Sequence, residues 1–266
     1  MKTYFRRLTR LARYAAVPVA IPALFCLVAA PAMAAAVDLS TWTPQNYTAG
    51  AGIWAVQSGN TSVLQTRNGN PTVFLSDQSA LGTEIQGKIK VTTTSDDDFI
   101  GFVLGFSPGD FSSSLADYLL IDWKQGNQSG AEAGLAVSRV TGVVTNADPG
   151  FWEHTNGMTE LARGTTLGST GWVDNVEYTF GFVFTPTNLR VSVNGVQQIN
   201  LNGSFSGGNL GFYNYSQSGV LYSGFTQDVL PPTPPPTSSV PDGGATWGFL
   251  GLAIGAMGVA RRRLLG

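Results

Sequence analysis

Apolar and polar residues alternate with a period of two over most of the middle of the chain. No ten-residue stretch between residues 37 and 229 shows a convincing 3.6-residue period. In residues 83–92, Ile85, Ile89 and Val91 face one way, and Glu84, Gln86, Lys88 and Lys90 the other. Further on, Val176, Tyr178, Phe180, Phe182 and Phe184 line one face of a long strand. Residues 185–188 turn the chain, Leu189, Val191 and Val193 line the next strand, and Asn194-Gly195 sets a tight hairpin into residues 196–201. Residues 99–106 read as a strand with Ile100, Phe102, Leu104 and Phe106 on one face. Gly101 and Gly105 lie on the other, where a missing side chain lets a second backbone come close. Residues 53–56, 62–66, 72–75, 118–124, 132–140, 210–215 and 220–226 read as shorter strands. About a dozen short strands with two apolar faces predict an all-β sandwich. Residues 146–174, with Trp152, His154 and Trp172, are the least regular part.

Composition agrees with that class. Only 12% of the 266 residues are charged, and 33 are glycine. One folded domain, residues 37–229, is long enough to bury a good core without covalent staples. The single cysteine, Cys26, lies in a segment expected to be removed, which leaves no thiol, disulfide or cysteine metal site. The overall charge of −2 is unevenly spread: 8 of 15 basic residues lie at the two ends. Residues 37–240 carry 7 basic and 16 acidic residues, a net −9. Such a domain repels phosphate backbones, which excludes nucleic acid as a partner and suits cations or neutral sugars.

The ends carry addresses. Residues 1–34 have a basic stretch ending at Arg13, an apolar run over 14–28, and Ala32-Met33-Ala34. They predict a secretory signal peptide cut after Ala34, with Ala36 as the alternative. An uncleaved anchor is disfavoured, because Pro18 and Pro22 interrupt a short run. At the other end a Pro-rich linker, 230–239, leads to Val240-Pro241-Asp242-Gly243-Gly244, an uncharged apolar segment at 245–260, and Arg261 to Arg263. This tail, 240–266, resembles the PEP-CTERM class of bacterial sorting signals and its VPDSG-type variant, with Gly243 where Ser is usual. The resemblance implies transient membrane anchoring by a transmembrane segment, cleavage by an exosortase near Val240, Pro241 and Asp242, and release to the cell surface or extracellular matrix. A plain C-terminal anchor is the alternative.

Candidate chemistry centres on residues 95–125. Asp96, Asp97 and Asp98 run straight into the 99–106 strand. Like charges this close repel, and a dication would relieve them; a solvated acidic turn is the other reading. Calcium takes about 6–8 oxygens, so the 107–117 loop or Asp122 would have to add donors. Asp122 is the weaker candidate, since it can instead face solvent beside Lys124. His154 is the sole histidine, which with no cysteine leaves no zinc site of the usual kind, and no G-x-S-x-G elbow is present. Glu84, Glu132, Glu153, Glu160 and Glu177 are scattered, and none begins the E-x-D-x-x-E strand of laminarinase-like enzymes. The chain is therefore expected not to be an enzyme. Trp152, Trp172, Tyr213 and Tyr215 could stack on sugars, although core packing is the commoner fate of such rings.

Asp96-Asp97-Asp98-Phe99-Ile100-Gly101-Phe102-Val103-Leu104-Gly105-Phe106, followed by Trp123-Lys124-Gln125, resembles the central signature of the thrombospondin C-terminal domain. Trp54 and Val63 to Thr66 upstream, and Trp152-Glu153-His154-Thr155, Gly171-Trp172 and Gly208 to Gly211 downstream, keep the family's order of features. The resemblance covers about residues 52–225. It implies a lectin-like jelly-roll β-sandwich that binds calcium, with Asp96, Asp97, Asp98 and Asp122 as ligands, in a family that mediates adhesion in animals. The calcium-wire repeats and EGF-like modules usual before the domain are not in this sequence, nor are the family's cysteines. The expected function is a secreted, exosortase-sorted, calcium-binding module of adhesion or the extracellular matrix, with exopolysaccharide or surface proteins as partners. A lectin for exopolysaccharide is the alternative, and a glycoside hydrolase a third.

Overall fold

The structure is a computed structural model that describes residues 35–231. The predicted signal peptide 1–34 with Ala34, most of the linker, and the tail with Val240, Pro241, Asp242 and the apolar segment 245–260 lie outside the described residues. Among the described residues no helix is long and apolar enough to cross a membrane.

In chain order the strands are β1 (Thr43–Asn46), β2 (Trp54–Val56), β3 (Ser62–Gln65), β4 (Thr72–Ser79), β5 (Thr83–Val91), β6 (Phe99–Phe106) and β7 (Asp117–Lys124). They continue as β8 (Gly134–Thr141), β9 (Met158–Arg163), β10 (Glu177–Phe184), β11 (Asn188–Val193), β12 (Val196–Asn202), β13 (Asn209–Tyr215) and β14 (Val220–Val229). Two seven-stranded antiparallel sheets result. The first has the order β1-β4-β13-β6-β7-β8-β9 and the second β12-β11-β10-β5-β14-β3-β2. Neighbours far apart in sequence, such as β13 beside β6 and β14 beside β5, close the chain on itself.

The alternation explains the inner core. Phe180, Phe182 and Phe184 of β10 and Ile85 and Ile89 of β5 point inward from the second sheet. Ile100, Phe102 and Leu104 of β6 and Phe212 of β13 meet them from the first. The Phe102 ring contacts Phe180, Phe182, Phe212, Tyr222 and Phe225. Each such ring removes about 150–250 Å² from water, so this layer dominates the burial.

The first sheet is covered on its other face too. Phe111, Val144, Ala147 and Phe151, from the segments after β6 and β8, pack on Phe99, Val103, Tyr118, Leu120 and Tyr213 to make a second core. This roof is pinned by the Tyr47 hydroxyl, which donates to the Val144 carbonyl at 3.0 Å, and by the Tyr215 hydroxyl, which donates to Asp148 at 2.9 Å. Burial on both faces is why every residue of β6 is inaccessible.

Several expectations need correction. Phe106 belongs to the second core, not to the face of Phe102. Asn209 opposes Phe106 while Leu210 opposes Leu104, so Gly105 is an extra residue, a bulge with φ of +83° that flips the strand end. Val176 lies outside β10 and is exposed. Residues 146–174 hold a π-helical turn, Asp148–Trp152, and the edge strand β9. Strand β1 was not foreseen. The reading of Gly101 stands: a Cβ there would fall against the Ile121 carbonyl and within 2.8 Å of the Asp122 Cα.

Candidate functional site

The acidic triple sits where the chain enters β6. One carboxylate oxygen from each of Asp96, Asp97 and Asp98 lies within 4.8 Å of the others. Asp98 is buried. Its backbone N–H donates to Gln217 Oε1 at 3.0 Å, and its carbonyl accepts from the Trp172 indole at 3.0 Å. Asp96 accepts from the Asn68 amide. Burial first, then repulsion from Asp98, pushes the Asp96 carboxyl up to about 6. Gly126 stands under Asp97, where a Cβ would be 2.6 Å from the carboxylate.

The sequence reading missed the cation among these carboxylates. Lys124 closes β7 with a side chain 0% exposed. Its ammonium is 2.6 Å from Asp98 Oδ1 and 3.5 Å from Asp97 Oδ1, and it donates to Gln128 Oε1 at 3.1 Å. It also lies 4.7 Å from the Trp152 ring centroid and 5.3 Å from that of Phe99, both cation–π distances. The signal was present. Tyr118, Leu120, Asp122 and Lys124 share one face of β7, so two opposite charges ride a face whose other members are apolar.

Asp122 is placed apart from the triple. It is 1% exposed rather than solvent-facing, and it accepts from His154 Nε2 at 2.9 Å. His154 Nδ1 points at Ser138 Oγ, 3.3 Å away, with Glu160 at 3.8 Å. Burial opposes a charge on this ring, but Asp122, with help from Glu160, outweighs it and the imidazole is pushed up to about 10. Residue 154 adopts φ of +54°, uncommon for a side chain of this size, at the exit of the π-helical turn. The hydrogen bond from His154 holds Glu160 below the usual carboxylate range against burial, and Arg163 adds to it. Arg163 is fixed by Glu160 at 2.9 Å and by the carbonyls of Ala133 and Gly168.

Two hollows flank the half-buried Trp152. One, about 270 Å³, is lined by Phe99, Glu132, Glu153, His154, Glu160 and Arg163. The other, about 390 Å³, is lined by Ser129, Asp148, Glu153, Tyr215 and Ser216. The wall between them and the acidic triple is the 125–131 loop. Gln125 N–H donates to the Asp97 carbonyl at 3.0 Å, and the Trp152 indole donates to the carbonyls of Gln128 and Ser129. Of the four aromatics named from sequence, Trp172, Tyr213 and Tyr215 are buried.

The family model "Thrombospondin C-terminal region" matches residues 50–229, which hold every residue of the site just described. The chain belongs to the thrombospondin C-terminal family. Thrombospondin-4 of Bos taurus is 26% identical over 192 residues, and thrombospondin-2 of Gallus gallus 27% over 192 residues. Each match covers 64% of this chain but only 19% and 16% of those proteins, so the shared part is the domain alone. A solved carbohydrate-binding module, CBM66 from Bacillus subtilis, has the same fold, with a TM-score of 0.51 at 11% identity over 70% of this chain and 94% of that one. The VPDSG-CTERM motif matches residues 239–264.

A lectin-like jelly roll of the thrombospondin C-terminal family thus carries three clustered carboxylates and one buried ammonium. The donor set suits calcium. It offers hard carboxylate oxygens and no sulfur or imidazole, and Lys124 leaves two of its three negative charges uncompensated. Asp96, Asp97 and the second oxygen of Asp98 are the groups that would hold the ion. Asp122 is committed to His154.

Proposed function

We propose that this thrombospondin C-terminal domain is an exported calcium-binding module of adhesion or the extracellular matrix, released by an exosortase. The clustering of Asp96, Asp97 and Asp98 carries the reading, because burial and mutual repulsion hold a proton on Asp96 up to about pH 6. Bound calcium would offset that repulsion, and would tie the start of β6 to the Lys124 end of β7. The VPDSG-CTERM motif supports export and processing. Catalysis is not part of the proposal. Ser138 is wholly buried, and His154 is held as a cation that cannot act as a base near neutral pH. Calorimetry tests the reading. Stability should rise with calcium, by about 2.7 kcal/mol at a hundredfold excess over the dissociation constant, and Asp96→Asn should remove most of that gain. Identical melts in calcium and in chelator would refute it. A second reading, a lectin for exopolysaccharide, is favoured by the position of Trp152 between two polar hollows.

A further inference from the structure

The geometry points to one saccharide cleft formed by the two hollows beside Trp152, gated by the cation at Asp96–Asp98 through Lys124 and Gln128. This rests on the calcium reading for the gate and on the lectin reading for the ligand, and it adds a place, a ligand class and a control to both.

The ligand class follows from the lining. Glu132, Glu153 and Asp148 with Ser129 and Ser216 make an acceptor-rich rim around one indole. The cationic groups there, Arg163 and His154, are already engaged by Glu160 and Asp122. A rim of acceptors around one aromatic ring suits a ligand with many hydroxyl donors and a C–H face, which is an uncharged oligosaccharide. Uronic-acid and sulfated chains are repelled by the same carboxylates. Both hollows are lined mainly by polar groups, which suits hydroxyls better than an apolar peptide side chain. The paired polar groups behind the rim are fixed by packing, so little ordering is needed on binding.

The gate follows from a shared ammonium. Lys124 Nζ divides its contacts between Asp98 and Asp97 on one side and Gln128 and the Trp152 ring on the other. A dication on the triple takes over part of the carboxylate charge. The ammonium is then freed to hold Gln128 and Trp152 more firmly. Trp152 lines both hollows, and Gln128 bears on them from behind, because the Trp152 indole donates to the carbonyls of Gln128 and Ser129. Calcium should therefore tighten saccharide binding, and by linkage the saccharide must tighten calcium by the same factor.

The experiment uses the full-length protein, titrated with neutral gluco-, galacto-, manno- and xylo-hexasaccharides, with oligogalacturonate as the anionic control. Each titration is run in calcium and in chelator, and calcium affinity is measured separately. At least one neutral chain should bind about fivefold or more tightly in calcium, and oligogalacturonate should not. Trp152→Ala should weaken it about tenfold or more, Trp152→Phe should recover part, and exposed Glu153→Ala should weaken it with an unchanged melt. Gln128→Ala should abolish most of the calcium dependence of saccharide binding and, by the same reciprocity, weaken calcium modestly even without saccharide. Calcium binding with no neutral saccharide bound overturns the cleft and leaves the calcium reading standing. Saccharide affinity equal in calcium and chelator overturns the gate. Retained binding in both Trp152→Ala and Glu153→Ala places the ligand elsewhere and overturns the proposal.

Discussion

Asp122 and His154 form a charged pair with almost no access to water, 1% and 10% exposed at the side chain. Such a pair adds little net stability while whole and costs a great deal when broken, because one desolvated charge is left alone. Asp122→Asn should cost roughly 3–5 kcal/mol in a denaturant titration at pH 7. The pair also sets a pH dependence. The imidazole is held up to about 10, against 6.5 in the unfolded chain, so the folded state binds the extra proton between those values. Its contribution is complete below about pH 6.5 and fades as pH rises through about 10. Melts between pH 6 and pH 10.5 should show that decline in the native protein, and Asp122→Asn should flatten it. Lys124, two positions along the same face, is likewise a desolvated charge, and Asp98, Asp97, Gln128, Trp152 and Phe99 take the place of water around it.

At the level of elements, much was legible where one face of a strand is buried and the other is polar. The reading of 83–92 agrees with β5 to within a residue, and 99–106 agrees with β6 in its bounds. It was illegible where the pattern is set by something other than alternation. Strand β1, Thr-Pro-Gln-Asn, has no apolar face and carries a proline that only an edge strand tolerates. Strand β9 is another edge, largely exposed after Met158. The candidate site divides the same way. The triple was visible as a run of like residues, whereas its partner Lys124 lies 26 positions from Asp98, and His154 reaches Asp122 across 32. The Gly105 bulge gives a direct check on the element. Its left-handed φ and the Ser206 carbonyl, 3.2 Å from where a Cβ would stand, both oppose a side chain. Gly105→Val should destabilise by roughly 2 kcal/mol or more, read as a lowered midpoint at unchanged m-value, because the strand end must either strain or return Phe106 to the wrong face.

For the whole molecule, the signal peptide expected from sequence and the VPDSG-CTERM motif together make one prediction about its life history. Mass spectrometry of exported protein should find an N-terminus near Ala35 and a C-terminus near the Val240-Pro241-Asp242 motif, and exported chains that still end in Arg261 to Arg263 would refute it. The folded domain depends on its own layers. The inner core is closed by two seven-stranded hydrogen-bonded sheets, but the roof over the first sheet is fastened mainly by side chains such as Tyr47, Tyr215 and Trp152. Its two central tyrosines, Tyr118 and Tyr213, place hydroxyls in that layer with no partner among the described residues. The roof is accordingly the part that opens first. Amide hydrogens of the 142–157 segment should exchange with deuterium through a cheaper opening than those of β6 and β13. While open, the molecule shows an aromatic sheet face to its neighbours, so heating at high concentration should drive self-association before the sandwich itself comes apart.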